Sequence, residues 1–322
     1  MKTMGLVISH KNNEARRALL PKDLKKINHV SALYFETGYG EKVGCTDDEY
    51  VAAGANIVTR EEALQCDIIV DVKLGDADYV YAISEEKVLI GWAHAAQQIA
   101  FTDAVIANNH TVLAWEEMYE GGRYLFYRNR EIAGEAGILQ AYQYAGKMPY
   151  ETKVAVLGNG QTAKGALRIL HGLGADVYGY RLEELFKKNM YDYDVIVNCV
   201  LWDTNRTDRI IYKEDLQQFK RGAMIVDISC NKHLEIETTK PTTIDDPVYT
   251  IDGVIHYAVD NTPAMFPHSV TSVLSEGFAK YVDKIMEDAY DDVLNEAILI
   301  KEGHILDEDV LKFREARNLV VK

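Results

Sequence analysis

Val154-Ala-Val-Leu-Gly-Asn-Gly-Gln-Thr-Ala163 is the stretch that decides the fold. Its first four residues are an apolar run. The next six, Gly158, Asn159, Gly160, Gln161, Thr162 and Ala163, fit G-x-G-x-x-[GA]. Between a strand and a helix this pattern marks a dinucleotide site. Gly158 permits the tight turn, Gly160 lets the backbone approach a pyrophosphate, and Ala163 lets the helix pack close to the strand. The helix N-terminus offers free N–H groups and a positive dipole end to the phosphates. Residues 162–173 read as that helix, closed by Gly174, and 177–180 as the second strand.

The second strand runs Val177-Tyr-Gly-Tyr-Arg181. Asp or Glu at this place bonds the ribose 2′-hydroxyl of NAD. An arginine suits a 2′-phosphate through its planar, charged fork. The cofactor is therefore read as NADPH, with Lys187 and Lys188 adding positive potential. The other reading gives the ribose to Glu183 or Glu184 and leaves Arg181 in solvent.

Further strands are expected at 195–200, 224–229 and 255–259. Before the turn, residues 5–9, 32–36, 67–73, 88–92 and 111–115 read as strands, with helices at 21–27, 47–53 and 97–108. Strands alternating with helices imply parallel sheets covered on both faces. The fold class is therefore α/β, with two Rossmann-like domains. Residues 131–145 and 272–289 read as helices joining them. The acidic tail has one short apolar run, 297–300, too little for a domain. The expected division is 1–135 and 270–322 for a discontinuous substrate domain, with 136–269 as an inserted dinucleotide domain.

The formal net charge is −15 over 322 residues, which disfavours a nucleic-acid partner. No apolar run approaches the ~20 residues of a membrane span. The four cysteines, Cys45, Cys66, Cys199 and Cys230, form no C-x-x-C pair and read as reduced thiols of a cytoplasmic protein. No metal is expected.

On the substrate side, Arg16 and Arg17 lie in a loop between a strand and a helix, where one could clamp a carboxylate or both could be surface charge. Lys73 and His94 each end an apolar strand. Each suits acid–base work, and each could equally be structural. Three such groups at the same edge of one domain are more persuasive together than singly.

These residues carry a resemblance. Lys11-Asn-Asn-Glu-Ala-Arg16, Val72-Lys73, His94, Ala114-Trp-Glu116, the glycine turn, Val226-Asp-Ile-Ser229 and Val259-Asp-Asn-Thr-Pro263 occur in order. The chain resembles the alanine dehydrogenase, saccharopine dehydrogenase and transhydrogenase family over nearly its whole length. It looks most like members that condense pyruvate with the side-chain amine of ornithine or lysine and reduce the imine with NADPH. The resemblance implies that Arg16 and Lys73 bind substrate, with Glu116 beside them, and that Lys73 and His94 are catalytic. Asn231, with the glycine turn and Arg181, falls on the cofactor side. Arg17 stands where an apolar residue is usual, and Asn231 where alanine dehydrogenases carry aspartate. The family implies a homo-oligomer. A saccharopine-type enzyme using 2-oxoglutarate, an alanine dehydrogenase using ammonia, and a non-catalytic NADP-binding protein are the competing readings.

Overall fold

The computed structural model describes residues 1–181, 186–203 and 206–322. The chain divides into two compact units, Met1–Phe126 with Pro267–Lys322, and Tyr127–Phe266.

In the first unit, β1 (Met4–Leu6), β2 (Leu33–Glu36), β3 (Asn56–Val58), β4 (Ile68–Val70), β5 (Val88–Gly91) and β6 (Thr111–Ala114) lie in the order β3-β2-β1-β4-β5-β6, all parallel. This is the doubly wound order, with its crevice at the carboxyl ends where the winding reverses beside β1. Every residue of β1, β4, β5 and β6 is buried, as strands covered on both faces require. β7 (Tyr119–Glu120) and β8 (Arg123–Tyr124) form a separate antiparallel pair. Tail residues Ile298–Lys301 extend the large sheet antiparallel to β6, and His304–Ile305 pairs with them in turn.

In the second unit, β9 (Lys153–Leu157), β10 (Asp176–Tyr180), β11 (Val195–Asn198), β12 (Met224–Asp227), β13 (Val248–Ile251) and β14 (Val254–Tyr257) form a sheet ordered β10-β9-β11-β12-β14-β13. Only β13 runs antiparallel. The reversal falls between β9 and β11, at the glycine turn. The helices Tyr127–Ala141 and Gln161–Gly172 touch backbone to backbone. A Cβ added at Gly165 would lie 1.9 Å from the Glu131 carbonyl oxygen, and one at Gly134 2.0 Å from that of Thr162. The expected boundary at 135/136 falls inside the first of these helices. The chain parts instead at 126/127, because the whole helix packs on the dinucleotide unit. The second parting is at 266/267, ahead of the expected 269/270, where Pro267 begins a new helix.

Two further expectations differ. The single helix expected over 272–289 is two, Pro267–Phe278 and Val282–Met286. Phe278, Tyr281, Val282, Ile285 and Met286 are all buried at helical spacing, so periodicity runs through the break unaltered. The reading also lacked three two-residue hairpins, at Gly121-Gly122, Asp252-Gly253 and Glu302-Gly303. Each has positive φ at both central residues, the conformation that matches strand twist and favours Asp-Gly and Gly-Gly. No helix among the described residues is long and apolar enough to cross a membrane, and all four cysteines are free thiols.

Candidate active site

The glycine turn is built as its sequence requires. Gly158 sits at φ +102°, and a Cβ there would come 2.8 Å from the Cys199 carbonyl oxygen. Its N–H donates to the Tyr180 carbonyl oxygen at 2.9 Å, tying the turn to β10. Gly160 caps the helix Gln161–Gly172, and a Cβ there would meet no protein atom, so the space beside it is open. Ala163 is fully buried and Gln161 and Thr162 half-buried. A cavity of ≈ 280 Å³ lies over the turn, lined by residues that include Gly158, Asn159, Gly160, Arg181, Val200 and Leu201. Open backbone beside Gly160, a helix N-terminus and the exposed Arg181 at the end of β10 fit a dinucleotide. Lys187 donates instead to the Arg209 carbonyl oxygen at 2.7 Å. Glu183 and Glu184 lie outside the described residues.

Asn231 follows β12. Its Nδ2 donates to Glu235 Oε1 at 3.1 Å. Glu235 is fully buried, with Asp227 and Asn198 beside it. The sequence reading did not find Glu235.

In the first unit, the carboxyl ends of neighbouring strands bring Arg16, Lys73, His94 and Glu116 to one sheet edge, with the end of β5 as the hub. Arg16 is 1 % exposed. Its Nε and Nη2 reach Glu14 at 2.9 and 2.6 Å, and its guanidinium stacks 4.8 Å from the centre of the Trp92 ring. Gly75 N–H donates to the Trp92 carbonyl oxygen at 3.0 Å, which laces the loop after β4 to β5. Lys73, 6 % exposed, places Nζ 3.8 Å from Asp76 Oδ2. Lys11 reaches both Asp76 oxygens at 3.3 Å. Asp71 is buried, and its Oδ1 accepts from Lys73 N–H at 2.9 Å. Loss of water pushes its carboxyl up to about 6, against the opposing pull of that hydrogen bond.

His94 is half-exposed and holds φ +45°, a strained value for a residue with a Cβ. Glu116 fixes it. Oε1 accepts from His94 N–H at 2.6 Å and Oε2 from Ala93 N–H at 3.2 Å. Burial pushes the Glu116 carboxyl up, while these hydrogen bonds oppose the shift. The Glu116 oxygens expected to face substrate are thus engaged by backbone.

The two arginines separate cleanly. Arg17 points its Nε at the Tyr39 carbonyl oxygen and its Nη1 at that of Arg16, 2.8 Å away, and packs on the Tyr39 ring. It fastens the loop. The resemblance pointed to Arg16, but composition and spacing alone did not separate it from Arg17 or show the parts of Glu14, Trp92 and Asp76. Glu14 is two residues from Arg16, whereas Trp92 reaches Arg16, and Asp76 reaches Lys11, from loops distant in the chain.

The fold and its two carboxyl-edge sites define a two-unit α/β protein of the dinucleotide-binding kind. Residues 6–125 match the alanine dehydrogenase/PNT N-terminal domain, and residues 178–308 match its C-terminal domain. The chain belongs to the alanine dehydrogenase/PNT family, whose members are oxidoreductases that bind a nicotinamide dinucleotide. It is 32% identical over 314 residues to N(5)-(carboxyethyl)ornithine synthase of Clostridium botulinum, covering 91% of this chain and 98% of that one. Identity to the Lactococcus lactis enzyme of the same name is 31% over 292 residues, 85% of this chain and 93% of the other. Alanine dehydrogenase 1 of Staphylococcus aureus is 26% identical over 370 residues, 98% and 99% of the two chains. Among solved structures, an L-alanine dehydrogenase superposes with TM-score 0.83 at 22% identity, covering 98% of this chain and 99% of that one. The transhydrogenase from Sinorhizobium meliloti gives 0.78 at 19%, covering 94% and 99%.

Proposed function

We propose that the chain catalyses the NADPH-dependent reductive condensation of pyruvate with the side-chain amine of ornithine or lysine. One observation carries the reading: a chain 32% identical to a carboxyethylornithine synthase keeps a cation, Arg181, at the strand end where the ribose 2′-substituent belongs.

In this reading Arg16, oriented by Glu14 and Trp92, anchors the pyruvate carboxylate, with Lys73 beside it. The attacking amine must be neutral to offer its lone pair, so Lys73 or His94 takes its proton. The amine nitrogen adds to the carbonyl carbon, its two N–H protons pass in turn through His94 to the former carbonyl oxygen, and the C–O bond breaks to release water and leave the imine. Glu116 acts through His94 as a positioning residue. Gly158–Ala163 hold the dinucleotide pyrophosphate, Arg181 the 2′-phosphate, and Asn231 lies on the same side. When bound, the reduced dinucleotide supplies hydride to the imine carbon.

The test is NADPH oxidation with pyruvate plus ornithine, lysine or ammonia, repeated with 2-oxoglutarate. Turnover is expected with pyruvate and a diamino acid. Turnover with ammonia alone would make the chain an alanine dehydrogenase, and preference for 2-oxoglutarate a saccharopine-type enzyme.

A further inference from the structure

Beneath the wall of the dinucleotide cavity lie two carboxyl groups with no ion-pair partner among the described residues. Asp227, at the end of β12, is 1 % exposed, and Glu235 is fully buried. Both accept from one nitrogen, Asn198 Nδ2, at 2.9 and 3.0 Å. Asp227 is otherwise well supplied, with Cys230 N–H at 3.0 Å and the Thr239 hydroxyl at 2.5 Å. Glu235 Oε1 also accepts from Asn231, but Oε2 is buried with no hydrogen-bond partner among the described residues. A buried ionised oxygen without a donor is costly. Two buried carboxylates on one amide nitrogen also repel, so one of them keeps its proton. The proton belongs on Glu235, whose oxygens have the weaker support.

The pair is wired to the cavity. Asn198 Oδ1 accepts from Val200 N–H at 3.2 Å, and the Ser229 hydroxyl donates to the Val200 carbonyl oxygen at 2.7 Å. Val200 and Cys199 form part of the cavity wall above the glycine turn. The one asparagine that bridges the two carboxyls therefore also sets that wall.

We propose that the Asp227–Glu235 pair carries a single exchangeable proton and that binding of a dinucleotide in the Gly158–Gly160 cavity holds it there, so that wherever the free protein has released this proton, binding takes one up from solvent. Its basis is the dinucleotide reading of the turn; it is independent of substrate and of NADPH over NADH. A dinucleotide brings negative phosphates and closes the cavity to water. Both changes oppose the second ionisation of the pair, so the bound protein retains the proton to higher pH.

Burial and the Asp227 charge push the Glu235 carboxyl up to about 7, which puts the exchange near neutrality. Among the other groups around the pair, burial lowers the His256 imidazole, which bonds the Thr238 hydroxyl at 2.8 Å, and the His233 ring faces the Glu237 carbonyl oxygen at 2.8 Å. Burial raises the Cys199 and Cys230 thiols, and the Tyr249 hydroxyl on β13 is pushed up to about 12. Arg209 is turned to the carbonyl oxygens of His233 and Leu234, and no ion pair reaches either carboxylate among the described residues.

The experiment is calorimetric titration of the full chain with NADH and with NADPH, in buffers of differing ionisation heat, from pH 6 to pH 8.5. Glu235→Gln keeps the Oε1 acceptor and copies the protonated acid. For wild type we expect uptake of up to about one proton per dinucleotide near pH 7.5, and affinity falling at most about tenfold per pH unit above the pair's titration. Glu235→Gln should show that much less uptake and a flatter affinity profile. The 2′-phosphate of NADPH titrates alike in both proteins and cancels in the difference. If Glu235→Gln does not fold, Asp227→Asn makes the same comparison. Equal uptake in variant and wild type overturns the proton linkage while leaving the dinucleotide site standing. Failure of both dinucleotides to bind overturns both.

Discussion

Glu116 holds His94 by the backbone rather than by the ring: its Oε1 accepts the His94 N–H at 2.6 Å, while the imidazole Nδ1 stays 4.0 Å away. The carboxylate thereby secures a left-handed residue at φ +45°. Glu116→Ala removes both acceptors and leaves two N–H groups under-satisfied. Expected are a loss of about 1–3 kcal/mol in stability and a fall in kcat with little change in KM for pyruvate. Glu116→Gln, which keeps one acceptor, should recover part of both. Denaturant midpoints and steady-state kinetics check this.

The two adjacent arginines should fail differently. Arg16→Lys loses the planar fork and should raise KM for the keto acid by roughly 10²-fold, with the fold intact. Arg17→Ala strips a donor from two buried carbonyl oxygens and should cost about 2–4 kcal/mol of stability. Equal loss of stability in both would contradict the division of labour.

Glycine substitutions offer a second contrast. A Cβ at Gly165 would strike the Glu131 carbonyl oxygen, so Gly165→Ala should lower Tm markedly. A Cβ at Gly160 meets nothing in the protein, so Gly160→Ala should fold normally and weaken dinucleotide binding alone. Arg181→Ala should weaken NADPH by roughly 10–100-fold, a loss of one charge-assisted contact, and leave NADH little changed. Thermal melts and dinucleotide titrations separate the three.

Stability should fall as pH rises from about 4.5 to about 7. Asp71 and Glu235 are pushed up in the folded state to about 6 and about 7. The unfolded chain releases these protons first, so their contribution is full below the unfolded values and lost as pH passes through the folded ones. Asp67 and Asp194, held down by hydrogen bonds and lysines, act in the opposite sense and lose their contribution as acid protonates them. Urea midpoints across this range should decline on the alkaline side for wild type and flatten in Asp71→Asn/Glu235→Gln.

Most strands of the two parallel sheets and the glycine turn were legible because each is local, whereas Asn56–Val58, Val248–Ile251 and Ile298–Lys301 went unread as strands. An apolar run such as Ile68–Val70 needs no distant information to be read as a doubly covered strand. The Asp252-Gly253 hairpin was legible too and went unread, although Asp-Gly is a strong turn signal. What sequence could not supply was partnership. Glu116 looked like a substrate ligand until its oxygens were found on Ala93 and His94. Asn231 looked like a lost charge. Four residues on, Glu235 supplies a buried carboxyl, and nothing in composition or periodicity separates it from the half-buried Glu237 two residues further.

The return of the chain from the second unit to the first bears on synthesis. Arg17 N–H bonds the Thr271 hydroxyl at 3.0 Å, Leu20 N–H the Ser275 hydroxyl at 2.8 Å, and that same hydroxyl reaches Asp23 at 2.6 Å. These groups are buried, and their partners emerge from the ribosome some 250 residues later. The nascent first unit therefore waits with its Arg16 loop unsecured, while residues 127–266 have everything they need to fold. The dinucleotide unit can form first on the ribosome, and the loop bearing Arg16 takes its final shape only after that unit is complete.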